Sequence, residues 1–206
     1  MVLLDLLQSK GLLEKYGIKF AKGELAGNEK QLEGACKKIG FPIAVKIYSP
    51  KISHKTDMGG IKLNIQNLEE TKRAFSQLRR IPGFKGAYLQ KMLSGTEIII
   101  GGKRDAQFGP VVLFGLGGIY VELLKDVSVR VCPLAEKDAE EMIGEIKGYS
   151  LLSGARGKQK ANIPEIKSYL LNVSKLMIKE KIIELDINPL FAFGNEVLAV
   201  DARVVK

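Results

Sequence analysis

The apolar positions of the chain change period as it runs, and the changes mark out its elements. Val2–Leu13 is apolar at helical spacing with Asp5 inside it, and Gly17 suits the left-handed conformation that closes a helix, so a first helix is predicted over Val2–Tyr16. A short extended piece, Ile18–Leu25, follows. Asn28 stands as the N-cap of a second helix to Ile39, stopped by Gly40 and Pro42. Ile43–Tyr48 is β-branched and apolar except for Lys46, which predicts a buried strand carrying one cation; a buried ammonium group needs an anionic partner. A strand at Gly60–Gln66, a helix at Leu68–Arg80 and a turn at Pro82–Gly83 complete the first half. From Gly86 strands dominate, at Ala87–Met92, Glu97–Lys103, Val111–Phe114 and Val127–Cys132. Helices return at Glu136–Ile146 and Pro164–Lys179, on either side of a glycine-containing loop, Gly148–Gly157. The pattern predicts an α/β chain of two α+β lobes, residues 1–87 and 88–206, meeting near Tyr88–Ser94 with a cleft between them.

The last stretch permits a geometric step. Ile182–Phe193 and Glu196–Val204 both read as strands, joined by Gly194–Asn195, a glycine-first pair suited to a two-residue type II′ turn. In that register Phe193 faces Glu196, and counting back puts Asn188 opposite Asp201, with Cβ atoms about 5 Å apart on one face. Alternation adds Asp186 and Glu184 to the same face and sets Arg203 opposite Asp186. Two hard-oxygen side chains so placed make a half-site for Mg²⁺, whose remaining positions water and nucleotide phosphates fill. The alternative is that Asn188–Pro189 bends the strand and Asp201 is a solvated edge residue. A row of carboxylates on an otherwise apolar strand is costly unless a cation meets it, and the candidates are a metal and Arg203.

Composition narrows the class. With 206 residues and 46% hydrophobic content the chain supplies its own core. Cys36 and Cys132 are far apart in sequence and lie among apolar residues, as free thiols do in a reducing compartment, so a cytoplasmic location is expected. No run approaches the roughly eighteen apolar residues of a membrane span, and no basic leader precedes Val2–Leu13, which argues against a signal peptide. The net charge of +9 raises nucleic acid as a partner. Yet Lys37–Lys38, Lys72–Arg73 and Arg79–Arg80 fall on helices with acidic residues between them, without aromatic residues to stack on bases, so solvated helix faces are the better reading. The same balance suits an enzyme that handles nucleotides or docks on an acidic partner.

The chemistry converges on Ser49–Lys62. This loop holds the sole histidine, His54, flanked by Lys55 and Asp57 and followed by Gly59–Gly60, between two strand-like runs. Glycine lets backbone N–H groups approach phosphate oxygens, so the loop suits phosphate binding, with His54 either a nucleophile or a surface imidazole. Gly115, Gly117 and Gly118 read better as a tight turn than as a phosphate loop, and Arg130 and Arg156 as either phosphate ligands or structural ion pairs.

Several segments together resemble the nucleotide-binding β subunit, or fused β region, of ADP-forming acetyl-CoA (acyl-CoA) synthetases, a relative of the succinyl-CoA synthetase β subunit. They are Lys15–Ile18, Ala44–Pro50, Ser53–Leu63, Gln107–Pro110, Phe114–Ile119, Lys125–Arg130, Gly154–Gly157, Glu184–Leu190 and Val200–Arg203, in the family's order over nearly the whole chain. The resemblance implies an ATP-grasp fold, two lobes gripping a nucleotide. It implies that Lys46 contacts the α and β phosphates, that Gly59 and Gly60 cover them, that Gln90, Lys91, Met92 and Leu93 form the adenine hinge, and that Glu97 binds the ribose hydroxyls. Asn188 and Asp201 fall at the Mg²⁺ ligands. His54 falls at a histidine that relays a phosphoryl group from an α-subunit phosphohistidine to ADP, and neutral imidazole is a competent nucleophile near pH 7. Asp186 matches an acid that orients the phosphohistidine, shorter here by one methylene than the usual glutamate. The implied reaction is acyl-CoA + ADP + phosphate ⇌ acid + ATP + CoA, with cofactors ATP/ADP and Mg²⁺. The chain has no CoA-binding G-x-G-x-x-G signature and no second histidine, so an α subunit in an α2β2 heterotetramer is expected. The rivals are a non-catalytic nucleotide sensor, which has no need of His54, and a basic nucleic-acid-binding protein.

Overall fold

Ile43–Tyr48 forms the strand its β-branched run predicts, and takes an inner place in a four-stranded antiparallel sheet. The computed structural model describes residues 1–50, 58–118, 126–155 and 159–206. The chain divides into a unit of Ala21–Leu93 and a unit of Met1–Phe20 with Ser94–Lys206.

In the first unit, β1 (Gly23–Ala26), β4 (Gly86–Lys91), β2 (Ile43–Tyr48) and β3 (Ile61–Ile65) pair in that order. Helices α2 (Glu29–Ile39) and α3 (Leu68–Leu78) lie against the sheet. Each begins at an asparagine, Asn28 or Asn67, whose side chain accepts from the amide three residues on. Leu32, Cys36, Ile43, Val45, Ile47, Phe75, Leu78 and Leu89 fill the space between helices and sheet. Residues 44, 46, 88 and 90 therefore belong to the sheet face turned away from this core.

In the second unit the order is β10 (Ala202–Val205), β8 (Glu184–Phe193), β5 (Thr96–Asp105), β6 (Gly109–Leu116), β7 (Val127–Val131), and β9 (Glu196–Ala199) also pairs with β8. One face carries Ile98, Ile100, Val112, Phe114, Leu185, Ile187 and Leu190 into a core closed by α4 (Glu136–Glu145) and α6 (Ile163–Lys179). A one-turn helix, α5 (Tyr149–Leu152), stands inside the stretch expected to be loop.

Two expectations change. The first helix, α1, spans Leu6–Lys15 rather than starting at Val2, because the Asp5 carboxylate accepts from the amides of Leu7 and Gln8 and ends the helix there. Residues 2–4 are instead extended and bond to β10, Val2 N–H to the Lys206 carbonyl and Leu4 N–H to that of Val204. The division after residue 87 differs for the same reason. Leu13 and Ile18 are buried in the core of the second unit, so the first twenty residues leave the lobe that follows them, and the boundary on the other side falls at Leu93. Cys36 is buried, Cys132 is half-buried, and both are free thiols. Among the described residues no helix is long and apolar enough to cross a membrane.

Candidate functional site

Each unit brings part of the expected set together. In the first, Lys46 is buried at 4% exposure and its Nζ donates to Gln90 Oε1 at 2.8 Å across the β2–β4 ladder. Gln90 Nε2 has no partner among the described residues, although the residue is only 1% exposed. An amide donor left so is costly unless something else supplies an acceptor, and ligand-binding faces are where such groups collect. Lys91 and Met92, the next positions of the expected hinge, spend their amides on the carbonyls of Lys22 and Pro42, and Lys91 Nζ donates to the Phe41 carbonyl at 2.5 Å. Leu93, half-buried, ends the unit.

Gly59 has φ +64° in open space, so it is required for its left-handed backbone and not for clearance. Gly60 accepts from Ile47 N–H at 2.7 Å and leads into β3. His54 and Arg156 lie outside the described residues.

In the second unit the hairpin register is the predicted one. Phe193 pairs with Glu196, Leu190 with Ala199, Ile187 with Ala202 and Asp186 with Arg203. Between β9 and β10 the match continues, for Asn188 N–H donates to the Asp201 carbonyl at 3.2 Å and Val200 N–H to that of Pro189 at 3.0 Å. Asn188 is exposed and Asp201 half-buried, with Asp201 Oδ1 accepting from Ala202 N–H at 2.9 Å. An amide oxygen on β8 and a carboxylate in the break between β9 and β10 fit a Mg²⁺ ion that keeps most of its shell for water and phosphate. They do not make a closed cage: among the described residues no three His, Cys, Asp or Glu converge to hold a metal.

Asp186 shares this face. Neighbouring protein atoms strip water from its carboxyl, and the charges of Asp201 and Glu184 add to this, so its pKa is raised against the pull of Arg203, while part of the residue still reaches solvent. Arg203 stands opposite Asp186 by register, yet its guanidinium lies 3.5 Å from Glu184. Glu97, on β5, is exposed; its carbonyl accepts from Gly117 N–H, and a Cβ on Gly118, at φ +62°, would come within 3.2 Å of its carboxylate. Gly115 lies within β6, and Gly117 and Gly118 follow its end, where a Cβ on either would crowd Glu97; the turn expected of them runs into positions outside the described residues. Arg130 is an ion pair: two nitrogens hold Glu145 at 2.8 and 2.7 Å.

One group escaped the sequence reading. On α6, Asn162 Nδ2 donates to the Asn195 carbonyl, Glu165 Oε2 accepts from Val197 N–H, and Tyr169 Oη donates to the Val197 carbonyl while accepting from Lys19 N–H. These side chains hold the hairpin that carries Asn188 and Asp201. The only sequence signal was Asn162 ahead of Pro164, which marks a helix start and nothing more.

With this geometry in place, three comparisons bear on it. The profile of the ATP-grasp domain family matches residues 2–205. An ADP-forming acetate–CoA ligase II of Archaeoglobus fulgidus is 44% identical over the whole chain, which spans 30% of that protein's length. The β subunit of ADP-forming acetate–CoA ligase I of Pyrococcus furiosus is also 44% identical, over 96% of this chain and 89% of that one. Among solved structures, an acetyl-CoA synthetase 1 of Candidatus Korarchaeum cryptofilum is similar, with a TM-score of 0.86 and 40% identity over 98% of this chain and 92% of that one. It is described in complex with CoA and Mg-AMPPCP, its phosphohistidine segment pointing towards the nucleotide-binding site.

Proposed function

This chain belongs to the ATP-grasp family, among the β subunits and β regions of ADP-forming acetate–CoA ligases, and on that footing we propose that it is the nucleotide-binding part of an ADP-forming acyl-CoA synthetase. The reaction is acyl-CoA + ADP + phosphate ⇌ acid + ATP + CoA, and this chain carries the exchange of a phosphoryl group between a histidine and ADP. The observation that carries this reading is the near-full-length match to a separately encoded β subunit.

In this reading His54 is the relay nucleophile. Its imidazole takes the phosphoryl group from a partner's phosphohistidine, forming one N–P bond as the other breaks, and passes it to the terminal oxygen of ADP. Lys46, whose ammonium group sits on the sheet face turned away from the core, meets the α and β phosphates. The backbone at Gly59 and Gly60 covers the moving phosphoryl group. Gln90, Lys91, Met92 and Leu93 hold the base, and the unpartnered Gln90 Nε2 supports a ligand there. Glu97 bonds the ribose hydroxyls, Asp186 orients the phosphorylated imidazole, and Asn188 and Asp201 hold Mg²⁺. When bound, that ion neutralises phosphate charge.

The CoA-binding and acyl-transferring steps belong to an α partner, and we assign the assembly as α2β2. A cytoplasmic setting, with its ADP and ATP pools, goes with this role. The test is transfer from γ-labelled ATP with Mg²⁺, with and without the α partner. Acid-labile, base-stable label on wild type, lost in His54→Ala, is expected; unlabelled wild type that still binds Mg·ATP overturns the relay.

A further inference from the structure

The open face of the six-stranded sheet is not uniform. Along β7 the usual alternation is inverted: Ser128 is buried and Arg130 half-buried towards α4, whereas Val127, Val129 and Val131 are 37, 47 and 49% exposed. Val131 pairs with Val111, Val129 with Leu113 and Val127 with Gly115, so Val111 and Leu113, both half-buried, extend the same apolar surface onto β6. Opposed residues share a face, and following one row across five strands gives Val129, Leu113, Gly101, Asp186 and Arg203. The next row gives Val131, Val111, Lys103 and Glu184. One end of the face is apolar, the other carries the carboxylates beside Asn188 and Asp201, and Gly101 leaves the middle bare. At about 4.8 Å per strand, the apolar end begins on β6 about 10 Å from the Asp186 strand and reaches β7 at about 14 Å. β7 is also the last strand of its sheet, with its outer edge unpaired among the described residues.

A row of β-branched side chains on an unpaired edge marks an interaction site in a folded chain. The occupant follows from the rows: in the relay reading Asp186 orients a phosphohistidine, and the region that presents that residue lies over the adjoining surface. In a relative of more than three times this length the matched part is joined in one chain to the rest of the enzyme. We propose that Val111, Leu113, Val127, Val129 and Val131 dock the partner region that carries the phosphohistidine, seating an apolar stretch of that region on β6 and β7. This rests on the relay reading above.

The test is the triple variant Val127→Thr, Val129→Thr, Val131→Thr. Threonine keeps the branched shape and strand preference, but its hydroxyl resists burial in an apolar contact. Binding to the immobilised α chain, Mg·ATP affinity and melting temperature are measured for wild type and variant. At least tenfold weaker α-chain binding is expected, with Mg·ATP affinity and melting temperature unchanged. Equal α-chain binding by wild type and variant overturns the docking surface while leaving the relay intact. A lowered melting temperature with unchanged α-chain binding also overturns it, assigning the face to cover by the chain itself. So does a variant that only dissociates a homodimer, which assigns the face to a second copy. Wild type that binds Mg·ATP but not the α chain removes the reading on which the proposal stands.

Discussion

Glu145 keeps its charge because Arg130 and then Ser128 bond to it, which lowers its pKa from 4.5 to about 2. A carboxylate depressed on folding contributes stability that is complete above 4.5 and is lost as pH falls from there towards about 2. With 43% of the side chain exposed, solvent screening limits the effect, and Glu145→Gln is expected to cost about 0.5–1 kcal/mol at pH 7. Urea denaturation should find that gap closing below about pH 3. Lys46 is a buried cation, bonded to Gln90 Oε1 and proposed to meet phosphate. Lys46→Met keeps the buried stem and is expected to weaken Mg·ATP binding by about 1.5–3 kcal/mol, a charged hydrogen bond's worth, in titration calorimetry. Lys46 was legible as the one charge in an apolar strand. The fate of Arg130 was not, since choosing between a phosphate and Glu145 requires knowing that the side chain points towards α4.

The β8–β9 hairpin was the most legible element. A two-residue glycine-first turn and strict alternation leave one register, and Asn188 meets Asp201 as counted. Gly194 takes φ +54° at the turn, so Gly194→Ala is expected to cost about 1 kcal/mol, read from the shift of the thermal midpoint. What holds the hairpin was illegible, because it comes from a helix some thirty residues away in sequence. Tyr169→Phe removes a bond to the Val197 carbonyl and one from Lys19 N–H, leaving a carbonyl and an amide to find other partners. A loss of about 1–3 kcal/mol is expected by denaturant titration, and Mg·ATP binding at 25 °C should survive if the hairpin register is kept by its own turn.

Over the whole molecule, charge and chain order part company. Ala21–Leu93 contains fourteen Lys and Arg against six Asp and Glu, so this unit carries nearly all of the +9 net charge. Such a field attracts polyphosphates and is screened by salt. Raising salt from about 50 to 500 mM, where the Debye length falls from about 14 to about 4 Å, is expected to slow Mg·ATP association in stopped flow while changing dissociation little. A salt-independent association rate would refute steering. The sequence alone determined the alternation of strands and helices, the helix caps at Asn28 and Gly40, the buried lysine and the hairpin register, because each depends on residues within a few positions of one another. Tertiary structure decided that residues 1–20 join the second unit, that Arg130 serves Glu145, that α6 clamps the hairpin, and that the valines of β7 face outwards. Those outcomes depend on which distant segment supplies the missing hydrogen bond or apolar surface, and that is settled only when the chain packs.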